Sequence, residues 1–155
     1  MQKFSLLFAL ACAATAASVS WAALIAISNS TQALAFGSFV AGSGGSVTVA
    51  VNPLGRSASG GVFLVPSGIW SAASFSVTGD PSATYAITLP ANGVVSLTSG
   101  SNTMAVDSFT SNPALTGQLS VGGSQTLMVG ATLSVGSNQA SGSYSGSFSV
   151  TVNYN

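Results

Sequence analysis

Residues 142–155 read GSYSGSFSVTVNYN. From Phe148 to the last residue, apolar side chains alternate with serine, threonine or asparagine, so an extended chain would place them on opposite faces. A period of two residues is that of a β-strand, whereas the apolar residues of a surface helix recur every three or four positions. This stretch therefore predicts a half-buried β-strand that closes a β-sandwich.

The same alternation recurs along the chain from Leu34 onward. It predicts further strands at residues 46–51, 62–65, 74–78, 85–89, 94–98, 104–109 and 127–135. Clusters of glycine, proline, asparagine and aspartate separate these runs, for example at residues 52–55 and 79–81, and their backbone preferences favour turns. Short strands separated by turns are typical of an antiparallel β-sandwich or barrel. We expect one such domain over residues 34–155.

The charge content of the chain limits its partners. Only Lys3, Arg56, Asp80 and Asp107 are charged, although 47% of the residues are hydrophobic. That hydrophobic fraction argues against a disordered chain. Two cations cannot form a basic patch, so we expect no nucleic-acid partner.

The sequence also lacks the side chains that most enzymes need. It has no histidine and no glutamate, and its one cysteine, Cys12, lies in the predicted export signal. Asp80 lies in a Gly-Asp-Pro turn, and Asp107 is interpreted as an exposed strand residue or a partner of Arg56. Two carboxylates are too few to hold Ca²⁺, which takes six to eight oxygen ligands. We therefore expect no catalytic residues, no metal and no cofactor.

The first residues carry the pattern of an export signal. A short cationic start, residues 1–3, precedes an apolar run over residues 4–17 that is rich in small side chains. We predict a signal peptide within residues 1–22, cleaved at a position between residues 16 and 22, after which no segment inserts into a membrane. The alternative is an uncleaved anchor, since the uncharged stretch is long enough to span a bilayer.

Residues 17–33 form a candidate arm between the signal peptide and the domain. Apolar side chains alternate along it at Val19, Trp21, Ala23, Ile25 and Ile27. An apolar arm is a poor free terminus in water, so we expect it to pair with a sheet edge of its own domain or of a neighbour. Cleavage after Ala22 would shorten the arm to residues 23–28.

Several of these stretches resemble known families. Gly142, the penultimate Tyr154 and the alternation between them are similar to the C-terminal strand of bacterial chaperone–usher pilins. The opening LAFGSF of residues 34–39 resembles that of the archaic, spore-coat-U-like pilins. Over residues 32–155, the runs ALAFGSFVAGSGGSVTV, RSASGG, SFSVTGDPSATYAITLP and GSYSGSFSVTV resemble the DUF4402 group of small exported β-proteins.

The pilin resemblance implies a fold and a set of partners. It implies an immunoglobulin-like antiparallel β-sandwich that lacks its last strand and is completed by a strand donated from another copy. A periplasmic chaperone would fill the gap first, and an outer-membrane usher would direct assembly. The candidate donor residues are Val19, Trp21, Ala23, Ile25 and Ile27. The candidate residues of the acceptor groove and chaperone-recognition strand are Gly142, Phe148, Val150, Val152 and Tyr154.

The implied function is structural. On this resemblance the protein is exported through the periplasm to the cell surface, where it is a subunit of a fibre or coat with a role in adhesion. The alternative hypothesis is a secreted monomeric sandwich that binds a sugar or a protein. Trp70 and Tyr85 would then form an exposed stacking face, whereas the simpler interpretation of both is packing in the core.

Overall fold

The computed structural model describes residues 24–28 and 31–155, so the predicted signal peptide and the candidate donor residues Val19, Trp21 and Ala23 lie outside the described residues. The described part is all-β, and it contains no helix long and apolar enough to cross a membrane. The prediction of an all-β antiparallel fold is confirmed, in an arrangement consistent with a β-sandwich. The strands are β1 (Ala26–Ile27), β2 (Phe39–Val40), β3 (Gly45–Val51), β4 (Leu54–Gly60), β5 (Phe63–Leu64), β6 (Ala73–Thr78), β7 (Thr84–Thr88), β8 (Val95–Ser99), β9 (Asn102–Asn112), β10 (Thr116–Gln118), β11 (Ser124–Val135) and β12 (Thr151–Tyr154).

Strand β11 is the central strand of the larger sheet. Met128 lies between Ser74 of β6 and Asn112 of β9, and Thr132 lies between Thr48 of β3 and Asp107 of β9. One edge of β11 therefore pairs with β9, and its other edge is shared by β6 in the first half and β3 in the second. Strand β1 adds to β6, β4 adds to β3, and β8 adds to β9.

The sheet bends where β11 passes from one partner to the other. The register between β9 and β11 shifts between Gly130 and Thr132, and Ser108 of β9 has a positive φ of 52° near this shift. Such a β-bulge bends a strand and increases its twist. A Cβ at Gly130 would overlap the carbonyl of Val49, so glycine is the residue that allows β3 to come this close.

Two core clusters lie on either side of this bend. The first core cluster is formed mainly by β3, β8, β9 and the second half of β11, with Phe36 packed among them. The second core cluster lies between β6 with the first half of β11 and the small sheet β10-β7-β12. Its members are Ala73, Val77, Tyr85, Ile87, Leu119, Leu127, Val129 and Val152. This second cluster has the two facing sheets of a sandwich.

The strand predictions fail where the pattern is weak or a partner is missing. Strand β4 (LGRSASG) was not predicted, because its glycines and serines carry no large apolar alternation and a turn was expected as far as residue 55. Strand β10 is only three residues long and was also missed. At the C-terminus the predicted strand from Phe148 to the end is too long, since the β-ladder covers only β12.

Candidate functional site

Two segments of mostly irregular backbone face each other across an open groove. We call residues 33–42 the N-terminal wall and residues 138–150 the C-terminal wall. Cavities of about 520 and about 1110 Å³ lie between them, and both are lined by Leu34, Phe36, Leu97 and Gly146, so they form one continuous groove.

The N-terminal wall is bonded to the sheet along one side. Ala35 and Ser71 exchange backbone hydrogen bonds of 2.8 and 2.9 Å, and Val65 donates its backbone N–H to the carbonyl of Ser38 at 2.9 Å. Strand β2, within this wall, pairs with β5. The backbone groups along one edge of the wall are thus hydrogen-bonded within its own chain. Residues 33–42 all line the larger cavity.

Arg56 fixes this wall in place. Its guanidinium donates from Nη1 to the carbonyl of Phe36 and from Nη2 to the carbonyl of Val65, both at 3.1 Å. Gly37 has a φ of +72°, and a Cβ at this position would overlap Nη1 of Arg56. The stretches LAFGSF and RSASGG, noted separately in the sequence, are therefore in contact, and Arg56 is a positioning residue that sequence reasoning missed.

The predicted pairing of Arg56 with Asp107 is wrong. Asp107 instead accepts a hydrogen bond at Oδ1 from the backbone N–H of Gly93 at 2.7 Å. Next to it, the backbone N–H of Ser108 donates to Oδ1 of Asn92 at 2.8 Å. The carboxylate therefore holds the loop before β8, while the Arg56 guanidinium donates to the carbonyls of Phe36 and Val65.

The second half of the C-terminal wall is bonded at Ser145 and then, among the described residues, not again before Thr151. Ser145 exchanges backbone hydrogen bonds of 2.8 and 3.0 Å with Thr98, and after the wall β12 pairs with β7. Between these points, residues 146–150 make no backbone hydrogen bond to any other residue that the structure describes. Their N–H and C=O groups are the ones that an added strand would bind.

The five candidate groove residues take different positions. Phe148 and Val150 line the smaller cavity, and Gly142 lines the larger one. Val152 is buried in the second core cluster, and the Tyr154 hydroxyl accepts a hydrogen bond from the backbone N–H of Asp80 at 2.6 Å. Gly142, Phe148 and Val150 therefore face the groove, whereas Val152 and Tyr154 anchor the end of the chain.

The floor of the groove is apolar. It is formed by Phe75, Val95, Leu97, Met104, Val106 and Leu133. Phe148 packs against Phe75 and Phe109, with ring centroids 6.2 and 5.1 Å apart, and contacts both core clusters. No charged side chain of the described residues lines the groove. Such a site offers apolar surface and backbone hydrogen-bonding groups.

A backbone hydrogen bond between the two walls closes one end of the groove. The backbone N–H of Asn138 donates to the carbonyl of Gly42 at 3.3 Å, which joins the two walls. The Gln139 amide donates to the Tyr144 hydroxyl at 2.9 Å, and that hydroxyl donates to the carbonyl of Ala140 at 2.7 Å. The alternation in the sequence gave no signal for this turn, since its side chains are mostly small and polar.

The other end of the groove lies beside β1. Ile25 and Ile27 are half-buried against the second core cluster, and β1 pairs with β6 of the same chain. These two candidate donor residues therefore lie in their own domain. The remaining three lie outside the described residues.

Trp70 and Tyr85 do not form an exposed stacking face. Tyr85 is fully buried, and its hydroxyl donates to Oε1 of Gln125 at 2.7 Å. Burial raises the pKa of this phenol, because the charged form would lose its hydration. Trp70 is half-buried against the first core cluster, so both residues pack in the core as the simpler interpretation expects.

Among the described residues, no group of three or more histidine, cysteine, aspartate or glutamate side chains is placed to hold a metal ion. Comparison with curated proteins and with solved structures found no match. A family model, described as a domain of unknown function (DUF4402), matches residues 25–154, which span every described strand from β1 to β12. The chain therefore belongs to the DUF4402 family.

Proposed function

We propose that this protein is a structural subunit of a bacterial surface fibre or coat, with a role in adhesion, and that its copies join by donating a β-strand. The observation that carries this proposal is the groove with its apolar floor, whose edge at residues 146–150 makes no backbone hydrogen bond to any other described residue. An open apolar edge promotes aggregation unless it is covered. A strand from another copy would cover it and assemble the copies in the same step.

The physical chemistry of the groove favours an extended peptide over a small polar ligand. Its floor is apolar, and burying each methylene of a bound side chain contributes about 0.8 kcal/mol. The backbone groups of residues 146–150 would provide the hydrogen bonds that a strand needs along its length. Neither feature requires a charged side chain, which fits a chain that has only four.

The same exposed groove accounts for the partners proposed here. Before assembly, an apolar groove needs a temporary cover, which is the role that the pilin resemblance gives to a periplasmic chaperone. An outer-membrane usher would then bring subunits together at the cell surface. The subunit carries out no chemistry in this scheme, so we propose that it is not an enzyme and uses no cofactor.

The test is gel electrophoresis of native extracellular material with and without boiling in detergent. Strand-exchanged polymers dissociate slowly, because release requires unfolding. We expect a ladder that collapses to one band on boiling. Val150→Asp, which places a charge in the groove, should remove the ladder, while Val121→Asp at a residue 88% exposed should keep it.

Two outcomes would contradict the proposal. A single monomer band in both lanes would favour the alternative, a secreted monomeric sandwich that binds a sugar or a protein. A ladder that survives Val150→Asp unchanged would show that copies associate through a surface other than the groove.

A further inference from the structure

Strand β4 ends the larger sheet with an edge that has no partner strand. It pairs with β3 from Val51↔Leu54 to Gly45↔Gly60 without a shift of register. Its other edge makes no backbone hydrogen bond to any residue that the structure describes. At 7 residues, β4 is the longest described strand with a single partner strand, and the shorter β8 is bonded in part to Ser145.

The backbone groups of Arg56 and Ala58 point to this open edge. A Cβ at Gly45 would overlap the carbonyl oxygen of Ser59, so Ser59 directs its carbonyl toward β3. Successive residues of a strand direct their hydrogen-bonding groups to opposite edges. Ser57 therefore also bonds toward β3, and the N–H and C=O groups of Arg56 and Ala58 are left for a further strand.

The devices that usually protect an edge strand are missing from β4. Residues 54–60 contain no proline and no lysine, and the ladder with β3 has no bulge. The one charged side chain, Arg56, lies on the core face opposite Val49, and a charge placed there ordinarily resists further pairing. Here the guanidinium already donates to the carbonyls of Phe36 and Val65, so an added strand would deprive it of no partner.

We propose that β4 pairs with β4 of a second copy in an antiparallel arrangement, with Ser57 on the two-fold axis. Ser57 is the middle residue of the strand, so this register brings the whole of β4 into contact. Arg56 of each copy would exchange both of its backbone hydrogen bonds with Ala58 of the other. Leu54, which is 55% exposed, would lie opposite Gly60 of the second copy, which has no side chain to obstruct it.

The side chains of β4 favour a copy of the same strand as the partner. In a two-fold pair any charge near the axis meets a like charge, but the outer face of β4 carries only glycine and serine. On that face, hydroxyl pairs already join neighbouring strands, Ser46 with Ser59 and Thr48 with Thr132, both at 2.8 Å. Ser57 lies opposite Thr48, whose hydroxyl is taken by Thr132. Two Ser57 hydroxyls would meet across the axis and extend this row.

The strength of the contact would depend on how many copies are aligned. One pair of short strands is small beside the roughly 1,600 Å² of a standard protein interface, so we expect weak dimers of the free monomer. Copies already held in a row would form many such pairs together and bind laterally far more tightly. None of residues 54–60 lines the groove, so this pairing is independent of the strand exchange proposed above.

Single cysteines test the pairing and its register. The variants carry Cys12→Ser, so that the introduced thiol is the only one in the full chain. After mild oxidation, the protein is boiled in detergent without reductant, and only disulfide-linked copies stay together. Ser57→Cys should give a dimer, because opposite residues of a non-hydrogen-bonded pair have Cα atoms about 4.5 Å apart, within reach of a disulfide.

Other positions provide matched controls. Ser59→Cys alone should stay monomeric, since residue 59 lies opposite Gly55 of the second copy in this register. An equimolar mixture of Gly55→Cys and Ser59→Cys should give the dimer, and the new side chain has room because a Cβ at Gly55 meets no atom within 4 Å. Ser134→Cys, at an exposed residue of β11 away from the edge, should stay monomeric.

A second measurement uses charge in place of a covalent bond. Ser57→Lys and Ser57→Asp each set like charges opposite one another at the axis. Either variant alone should therefore sediment as a monomer at a concentration where the refolded wild-type protein dimerises. An equimolar mixture should dimerise again, because opposite charges then meet, and Ser134→Lys should behave as the wild type.

Each result decides for or against the pairing. A Ser57→Cys dimer no more abundant than that of Ser134→Cys would overturn it, since random collision would explain both. A dimer of Ser59→Cys without one of Ser57→Cys would overturn the register, as would charge variants that the mixture does not restore. A ladder lost on boiling but no Ser57→Cys dimer would overturn the β4 pairing and keep the proposed function, and a Ser57→Cys dimer without any ladder would do the reverse.

Discussion

The two walls of the groove both consist mostly of irregular backbone, yet the chain holds them differently. The N-terminal wall is bonded along one edge to β5 and to Ser71, which precedes β6, and is fixed by Arg56. The C-terminal wall is held at Ser145 and from Thr151 onward, and its backbone between these points has no described partner. The N-terminal wall is therefore held by its own chain along one edge, whereas residues 146–150 of the C-terminal wall have no backbone partner among the described residues.

The largest expected effect tests the rigidity of the N-terminal wall. Gly37→Ala should lower the free energy of unfolding by about 3 kcal/mol, from the strain of a positive φ and the displacement of the Arg56 guanidinium. Gly93→Ala is the matched control, since Gly93 has a similar φ of +78° but open space around it. We expect about 1 kcal/mol for that control, measured by urea denaturation.

A double-mutant cycle isolates the role of Arg56. In an Arg56→Met background, the cost of Gly37→Ala should fall toward that of Gly93→Ala, because the displaced group is gone. Equal costs for Gly37→Ala in both backgrounds would show that Arg56 does not hold this wall.

A smaller effect tests the fixed end of the C-terminal wall. Tyr154→Phe removes the acceptor for the backbone N–H of Asp80 and should cost about 1 kcal/mol. Chemical denaturation of the refolded monomer would measure it. If Tyr154→Phe proves as stable as the wild type, the hydroxyl does not anchor β12.

The last prediction concerns the backbone hydrogen bonds of the two walls, which amide hydrogen exchange can compare directly. Residues 146–150 of the monomer should exchange close to the rate of an unfolded chain, whereas the amides of Ala35 and Ser71 should be protected. Equal protection of the two walls would mean that residues 146–150 already have a partner strand, and the comparison between the walls would fail.

Much of the fold follows from local patterns in the sequence. The alternation at residues 46–51, 74–78 and 127–135 predicts β3, β6 and β11, because a side-chain period of two is a property of the strand itself. Strand β4 could not be predicted this way. Its small residues become a strand because β3 provides a partner from Gly45 to Val51.

The candidate site was predictable only in part. Phe148 and Val150 line the smaller cavity, but so do Ser147 and Ser149 between them, and the structure has no β-ladder there. The alternation in the sequence continues into Val152 and Tyr154, which the tertiary structure places in the core and at the Asp80 backbone. A two-residue period reports which side chains share a face, but it does not report what lies opposite that face.

By itself the sequence determined an all-β antiparallel fold and a chain with only four charged side chains, since the first follows from the period of the strand and the second from composition. Only the tertiary structure decided that β11 divides one edge between β6 and β3 and that Arg56 fixes Phe36. It also decided which backbone edge lacks a described partner, at residues 146–150. Strand pairing joins residues far apart in the chain, and its register depends on every neighbour at once, so no local pattern can specify it.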